Sequence, residues 1–126
     1  MSMNKRHIEN LAALAAALPD RIAQLDAAKN ELDGNMRALK EQGLIYASEH
    51  MKDGKYLVLV YPMQPGKARK REYVGKDPQK MQEARAAIQR GKDYDMLAQR
   101  SKRLESILSD GLSSLQDGLR ALTRAI

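Results

Sequence analysis

The five residues Lys67-Ala68-Arg69-Lys70-Arg71 carry four positive charges, and Tyr73 follows two residues later. Guanidinium groups grip phosphate with two parallel hydrogen bonds or read the edge of guanine, so this is binding chemistry. The groups that covalent and acid–base catalysis usually recruit are sparse. There is no Cys, and the two His, His7 and His50, lie far apart in the chain. We find no phosphate-cradling glycine loop, no cluster at metal-ligand spacing and no Ser beside a plausible His. Arg69 and Arg71 form no specific acid/base pair with the nearby carboxylates. A nucleophilic role for Tyr73 would need several positioned Arg and His residues from a larger fold. The chain therefore reads as non-enzymatic, with no cofactor and no metal.

The charge distribution supports a binding role. The net charge is +6, but residues 1–51 hold six Lys/Arg against seven Asp/Glu and residues 104–126 hold two against three. Residues 52–103 hold fourteen against six, so the whole positive excess lies in the middle. All five tyrosines (Tyr46, Tyr56, Tyr61, Tyr73 and Tyr94) fall in or next to that stretch. A basic, tyrosine-bearing middle between near-neutral flanks points to an anionic polymer as partner.

The elements that must hold these residues follow from periodicity. After Gly43 the helical period gives way to strand-like segments. Leu44 to Met51 is read as a first strand, and Asp53-Gly54 is a strong two-residue hairpin signal. Tyr56-Leu-Val-Leu-Val-Tyr61 is apolar on both faces and is read as a central, doubly covered strand. Pro62 and Pro65-Gly66 form a loop, Lys70 to Val74 returns as a third strand, and Gly75 closes it. Residues 44–76 are thus expected to form a basic three-stranded antiparallel meander. With a period of two, Arg69, Arg71 and Tyr73 share one face, while Lys70, Glu72 and Val74 share the other. Asp77-Pro78 then opens a helix as cap and first residue. The expected nucleic-acid-binding residues are Lys52, Lys55, Lys67, Arg69, Lys70, Arg71, Tyr73, Lys76 and Lys80, the last two at a helix start whose N–H groups also favour an anion. Edge strands also carry Lys and Arg to block aggregation, but the regional excess favours a partner.

Gly54-Lys-Tyr-Leu-Val-Leu-Val-Tyr61, Gly66-Lys-Ala-Arg-Lys-Arg-Glu-Tyr-Val-Gly75 and the Ala-rich stretch after them resemble, over about residues 54–90, the meander-plus-helix segments of some transposases and of the arm-site-binding domains of tyrosine recombinases. In those recombinase domains the sheet lies in the DNA major groove. The resemblance implies DNA-facing roles for Lys67, Arg69, Arg71 and Tyr73, and a setting in mobile genetic elements.

Two helical arms flank the meander. In residues 1–43, positions 8, 11, 15, 18, 22, 25, 29, 32, 36 and 39 alternate in steps of three and four and are apolar except Lys29, which is a coiled-coil seam. Pro19 predicts a kink or break, and Gly43 the helix end. In residues 77–126 the apolar positions are Leu97, Leu104, Leu108, Leu112, Leu115, Leu119, Leu122 and Ile126, the last five at steps of three and four and the 104-108-112 steps of four forming a stutter, with a possible break near Gly91. With aromatics at only 4% and no Phe or Trp, such seams suit the composition. The expected fold is α+β, mostly α: two long coiled-coil-like arms packed antiparallel, flanking the meander. Ile8, Leu11, Leu18, Ile22, Leu25, Leu32, Leu104, Leu108, Leu115, Leu119 and Leu122 are expected to build a homodimer or higher oligomer. No apolar run approaches the ~18 residues of a membrane span. Lys5-Arg6 ahead of Leu11–Leu18 has the outline of a leader, but Glu9 and Asn10 interrupt it and the helical period runs on, so a cytoplasmic location without membrane contact is expected. The function expected is binding of nucleic acid, double-stranded DNA first, by an accessory protein. The alternative is a phage- or plasmid-type adaptor or inhibitor that turns the basic hairpin on an acidic protein surface.

Overall fold

A computed structural model describes residues 3–126. The elements are α1 (Met3–Gln42), β1 (Ser48–Lys52), β2 (Tyr56–Val60), β3 (Arg71–Gly75) and α2 (Pro78–Thr123). The protein is α+β and mostly α, with two long helices and one three-stranded antiparallel sheet of order β1-β2-β3. The described chain divides into two compact units at Gly34/Asn35.

In the first unit, α1 contributes no buried residue. Ile8, Leu11, Leu14 and Ile22 are exposed, and Leu18, Leu25 and Leu32 are half-buried. Lys29, the polar seam residue, pairs with Asp33 of the next turn at 3.3 Å. The helix is not broken at Pro19, which lies inside it. Proline removes one N–H and crowds the turn before it, at ~3 kcal/mol. The segments Ala12–Ala17 and Arg21–Leu25 on either side consist mostly of strong helix formers, so the ladder resumes at once.

In the second unit the core is small and almost wholly aliphatic. Leu57 and Leu59 of β2 are 0% and 1% exposed and meet Ala84 and Ile88 of α2, with Ile45, Ala47, Tyr61, Val74 and Met81 packed around them. Burying each leucine stabilises the fold by about 2–3 kcal/mol. Asp53 and Gly54 adopt positive φ, +56° and +68°, as the tight hairpin requires. The bond from Lys55 N–H to the Lys52 carbonyl, 3.1 Å, closes that turn. Asp77 caps α2 through a bond accepted from Gln79 N–H at 3.1 Å, with Pro78 as first residue.

The strand limits differ from the sequence expectation at two places. The first strand begins at Ser48, not Leu44. Residues 43–47 instead dock on α2, where Ile45 N–H donates to the Ala87 carbonyl at 3.1 Å. The third strand begins at Arg71, not Lys70, although Tyr61 N–H still reaches the Lys70 carbonyl at 3.0 Å. The β2–β3 register shifts between Leu57 and Val58, which pair with Gly75 and Tyr73. Val74 is thus the extra residue of a bulge, and it packs on the core.

Nor is there a break at Gly91: α2 runs unbroken through it, and Gly91 is buried. A Cβ there would sit 3.0 Å from the Ile45 carbonyl oxygen and 3.2 Å from the Tyr46 ring. The glycine provides room for a close backbone approach. The end of α1 is held at the same place. Arg90 donates from Nε to the Gly43 carbonyl at 2.8 Å and from Nη2 to the Gln42 carbonyl at 3.2 Å, a cation on the open carbonyls of a helix C-terminus.

Gly91→Ala is therefore expected to destabilise the second unit by about 1–3 kcal/mol through overpacking. Gly111→Ala, where nothing lies within 4 Å of the added carbon, is expected to stabilise by up to ~1 kcal/mol through helix propensity. Urea unfolding followed by circular dichroism checks this, and the same sign at both positions would contradict it.

Candidate nucleic-acid interface

The register assigns every strand residue to a face. Ser48 pairs with Val60, His50 with Val58 and Lys52 with Tyr56, while Val58 and Val60 pair on their other side with Tyr73 and Arg71. These eight residues make one face of the sheet, since directly paired residues point the same way. Glu49, Met51, Leu57, Leu59, Tyr61, Glu72 and Val74 make the other face, which carries the core and lies on α2. The two carboxylates of the strands lie on that inner face, and both are engaged. Glu49 Oε1 accepts from Arg85 Nε of α2 at 2.9 Å. Glu72 Oε2 accepts from the Tyr61 hydroxyl at 2.8 Å.

The outer face carries no carboxylate. Its charges are Lys52 and Arg71, both exposed, at opposite ends of the sheet. Between them lie the rings of Tyr56 and Tyr73, 6.0 Å apart and tilted by 37°. Tyr73 is 63% exposed, while Val58, opposite His50 and Tyr73, is buried.

The expected binding residues fall into three groups. Lys52, Arg71 and Tyr73 share the outer face, as the alternation predicts for Arg71 and Tyr73. Lys55 and Lys76 line a cleft of about 440 Å³ beside the start of α2 with Pro78, Met81 and Arg85, and Lys80 lies in that helix's first turn. Lys67, Arg69 and Lys70 belong to the connection between β2 and β3. Lys67 and Lys70 line a cleft of about 590 Å³ with Leu44, Tyr46 and Tyr61. Lys70 Nζ lies 4.7 Å from the centre of the Tyr61 ring, a cation–π contact. Arg69 lies outside the strand, and its Nε donates to the Tyr61 carbonyl at 3.2 Å. That bond ties Arg69 back to the chain and separates it from Arg71. None of the six expected Lys and Arg residues outside the outer face, and neither cation on it, pairs with a carboxylate among the described residues.

Sequence reasoning did not find Arg85 and Arg90, which lie on α2 and serve structural bonds. The only hint was their spacing of five on a helix otherwise lined by Ala84, Ala87 and Ile88. Among the described residues, no group of three or more His, Asp or Glu is placed to hold a metal ion, and no helix is long and apolar enough to cross a membrane. Compared with protein-family models, curated proteins and solved structures, the chain matches none.

Two phenols titrate above the ordinary tyrosine range. Burial raises Tyr61, and its bond to Glu72 and the charge of that carboxylate raise it further. Tyr46 is raised by burial and by the bond its hydroxyl donates to Asp95, 3.0 Å long. Below pH ~10 both phenols keep their proton, folded or unfolded, and the stabilisation is complete. Above it the unfolded phenol ionises first, so stability falls until the folded phenol ionises too. Urea unfolding across the range from about pH 8 to pH 11 should show this alkaline decline, and Tyr61→Phe should make it shallower. An identical decline in the variant would remove Tyr61 as a source.

Proposed function

We propose that this chain is a non-enzymatic nucleic-acid-binding accessory protein, cytoplasmic, that self-associates through its helical arms. The carboxylate-free outer face of the sheet carries this reading. Lys52 and Arg71 sit on it, the inner face is closed by α2, and both strand carboxylates are turned inward. A polyanion approaching that face meets positive charge and two phenols with no opposing carboxylate on the strands. Lys55 and Lys76 at the neighbouring edge extend the positive field. The arms support self-association: Ile8, Leu11, Ile22, Leu115, Leu119 and Leu122 are exposed along seams of heptad spacing, and such stripes are normally covered.

If Lys52, Lys55, Arg71 and Lys76 each meet one phosphate, log K should fall against log salt with a slope of about −3.6 on duplex DNA or about −2.8 on a single strand. Replacing Lys52 and Arg71 with Ala should roughly halve that slope. Anisotropy titrations at several salt concentrations measure it. No binding to DNA or RNA at low salt would discard this reading in favour of an acidic protein partner.

Sedimentation equilibrium tests the arms. The protomer mass is 14.1 kDa, and a particle of at least twice that mass is expected. The double variant Leu115→Asp/Leu119→Asp should revert to the protomer with the sheet still folded. A native chain that sediments as a protomer at every concentration would remove the arms as an association surface.

A further inference from the structure

We infer that the outer face of the sheet binds unpaired bases of a single strand in preference to paired duplex, with Tyr73 as the stacking residue and Tyr56 as its support. The inference rests on the nucleic-acid reading above and adds the form of the ligand.

It follows from how chemistry is distributed over the face. Duplex is read through base edges on a groove floor, which calls for hydrogen-bonding side chains at the centre of the reading surface. Here the middle row of the face is His50, Val58 and Tyr73, with the Tyr56 ring beside Tyr73; apart from the phenols His50 is its one hydrogen-bonding side chain, and the cations lie at the ends. Lys52 is paired with Tyr56 at one end, and Arg71 is paired with Val60 at the other. A paired base keeps its π-face covered by its neighbours in the stack, whereas an unpaired base offers that face to a ring. Rings between two cations are the arrangement that single strands use: backbone phosphates on the charges and bases on the aromatics.

The geometry of the ring pair fits this use. Tyr73 lies diagonally across the strands from Tyr56, directly opposite Val58. The 37° tilt and 6.0 Å separation keep the rings from closing into a flat stack, and Tyr73 remains 63% exposed. Val58 beneath is buried and gives the platform an apolar floor. Five-residue strands spaced ~4.8 Å apart make a face roughly 17 Å by 10 Å, with room for about two bases. Arg69, the residue that would have lengthened a row of edge-reading guanidiniums, is held by the Tyr61 carbonyl instead.

The test is fluorescence anisotropy with the full-length chain and three labelled probes of equal length: a mixed-sequence single strand, its duplex, and an abasic deoxyribose-phosphate strand. The single strand should bind more tightly than both others at the same salt. Tyr73→Ala should weaken single-strand binding about 5- to 150-fold and leave duplex and abasic binding unchanged, while Tyr73→Phe, which keeps the ring, should bind like the native chain. Tyr73 is exposed, so circular dichroism of both variants should match the native protein. Equal affinity for all three probes, or no effect of Tyr73→Ala, would overturn the inference while leaving phosphate-driven binding in place. Failure of the native chain to bind any probe at low salt would overturn both.

Discussion

The second unit depends on how closely the backbone at Ile45 approaches α2. The helix presents Ala84, Ala87 and Gly91 there, all buried, and the Ile45 N–H bonds to the carbonyl of Ala87. A side chain at position 91 would hold the segment off, because its Cβ would meet the Ile45 oxygen at 3.0 Å. One turn of α2 thus anchors two things at once. Small residues seat the 44–47 segment, and Arg90 holds the Gln42 and Gly43 carbonyls at the end of α1. Once that segment is seated, β1 must start beyond it, at Ser48.

The seating decides which face of the sheet is free. Side chains alternate along a strand, so placing Leu57 and Leu59 on Ala84 and Ile88 sends Tyr56, Val58 and Val60 outward. It also turns Glu49 and Glu72 inward, where an arginine and a phenol receive them. A slip of one residue would put the leucines and carboxylates on the outer face and Arg71 and Tyr73 on the inner one. The same small core that stabilises the sheet therefore polarises it. The proposed interface needs no separate scaffold, because it is the reverse side of the core.

The bulge at Val74 completes this arrangement. Without an extra residue in β3, Tyr73 and Gly75 would share a face and Val74 could not reach the core while Gly75 pairs with Leu57. The bulge lets Val74 pack inward and keeps Tyr73 and Arg71 outward. Gly75, with φ of +101°, takes a backbone conformation that side chains rarely adopt. The connection before β3 takes Arg69 out of the strand, so the row Arg69, Arg71, Tyr73 suggested by strict alternation is cut short.

Much of this was local and therefore legible in the amino-acid sequence. The hairpin at Asp53-Gly54, the doubly apolar β2, the cap at Asp77-Pro78 and the helix end at Gly43 each follow from residues a few positions apart, whose backbone preferences act without help from the rest of the chain. The alternation that puts Arg71 with Tyr73 is equally local. Neither Pro19 nor Gly91 breaks its helix, because a breaker is judged by its own propensity whereas the outcome depends on its surroundings: good helix formers beside Pro19, and the Ile45 backbone, 46 residues from Gly91, that needs the space there. Which cations share a surface, where Arg69 is tied and which partners Arg85 and Arg90 take are set by contacts between residues distant in the chain. Those contacts exist only once β2 lies on α2, so the composition of the middle region announced a basic module while only the tertiary packing decided which of its charges face outward together.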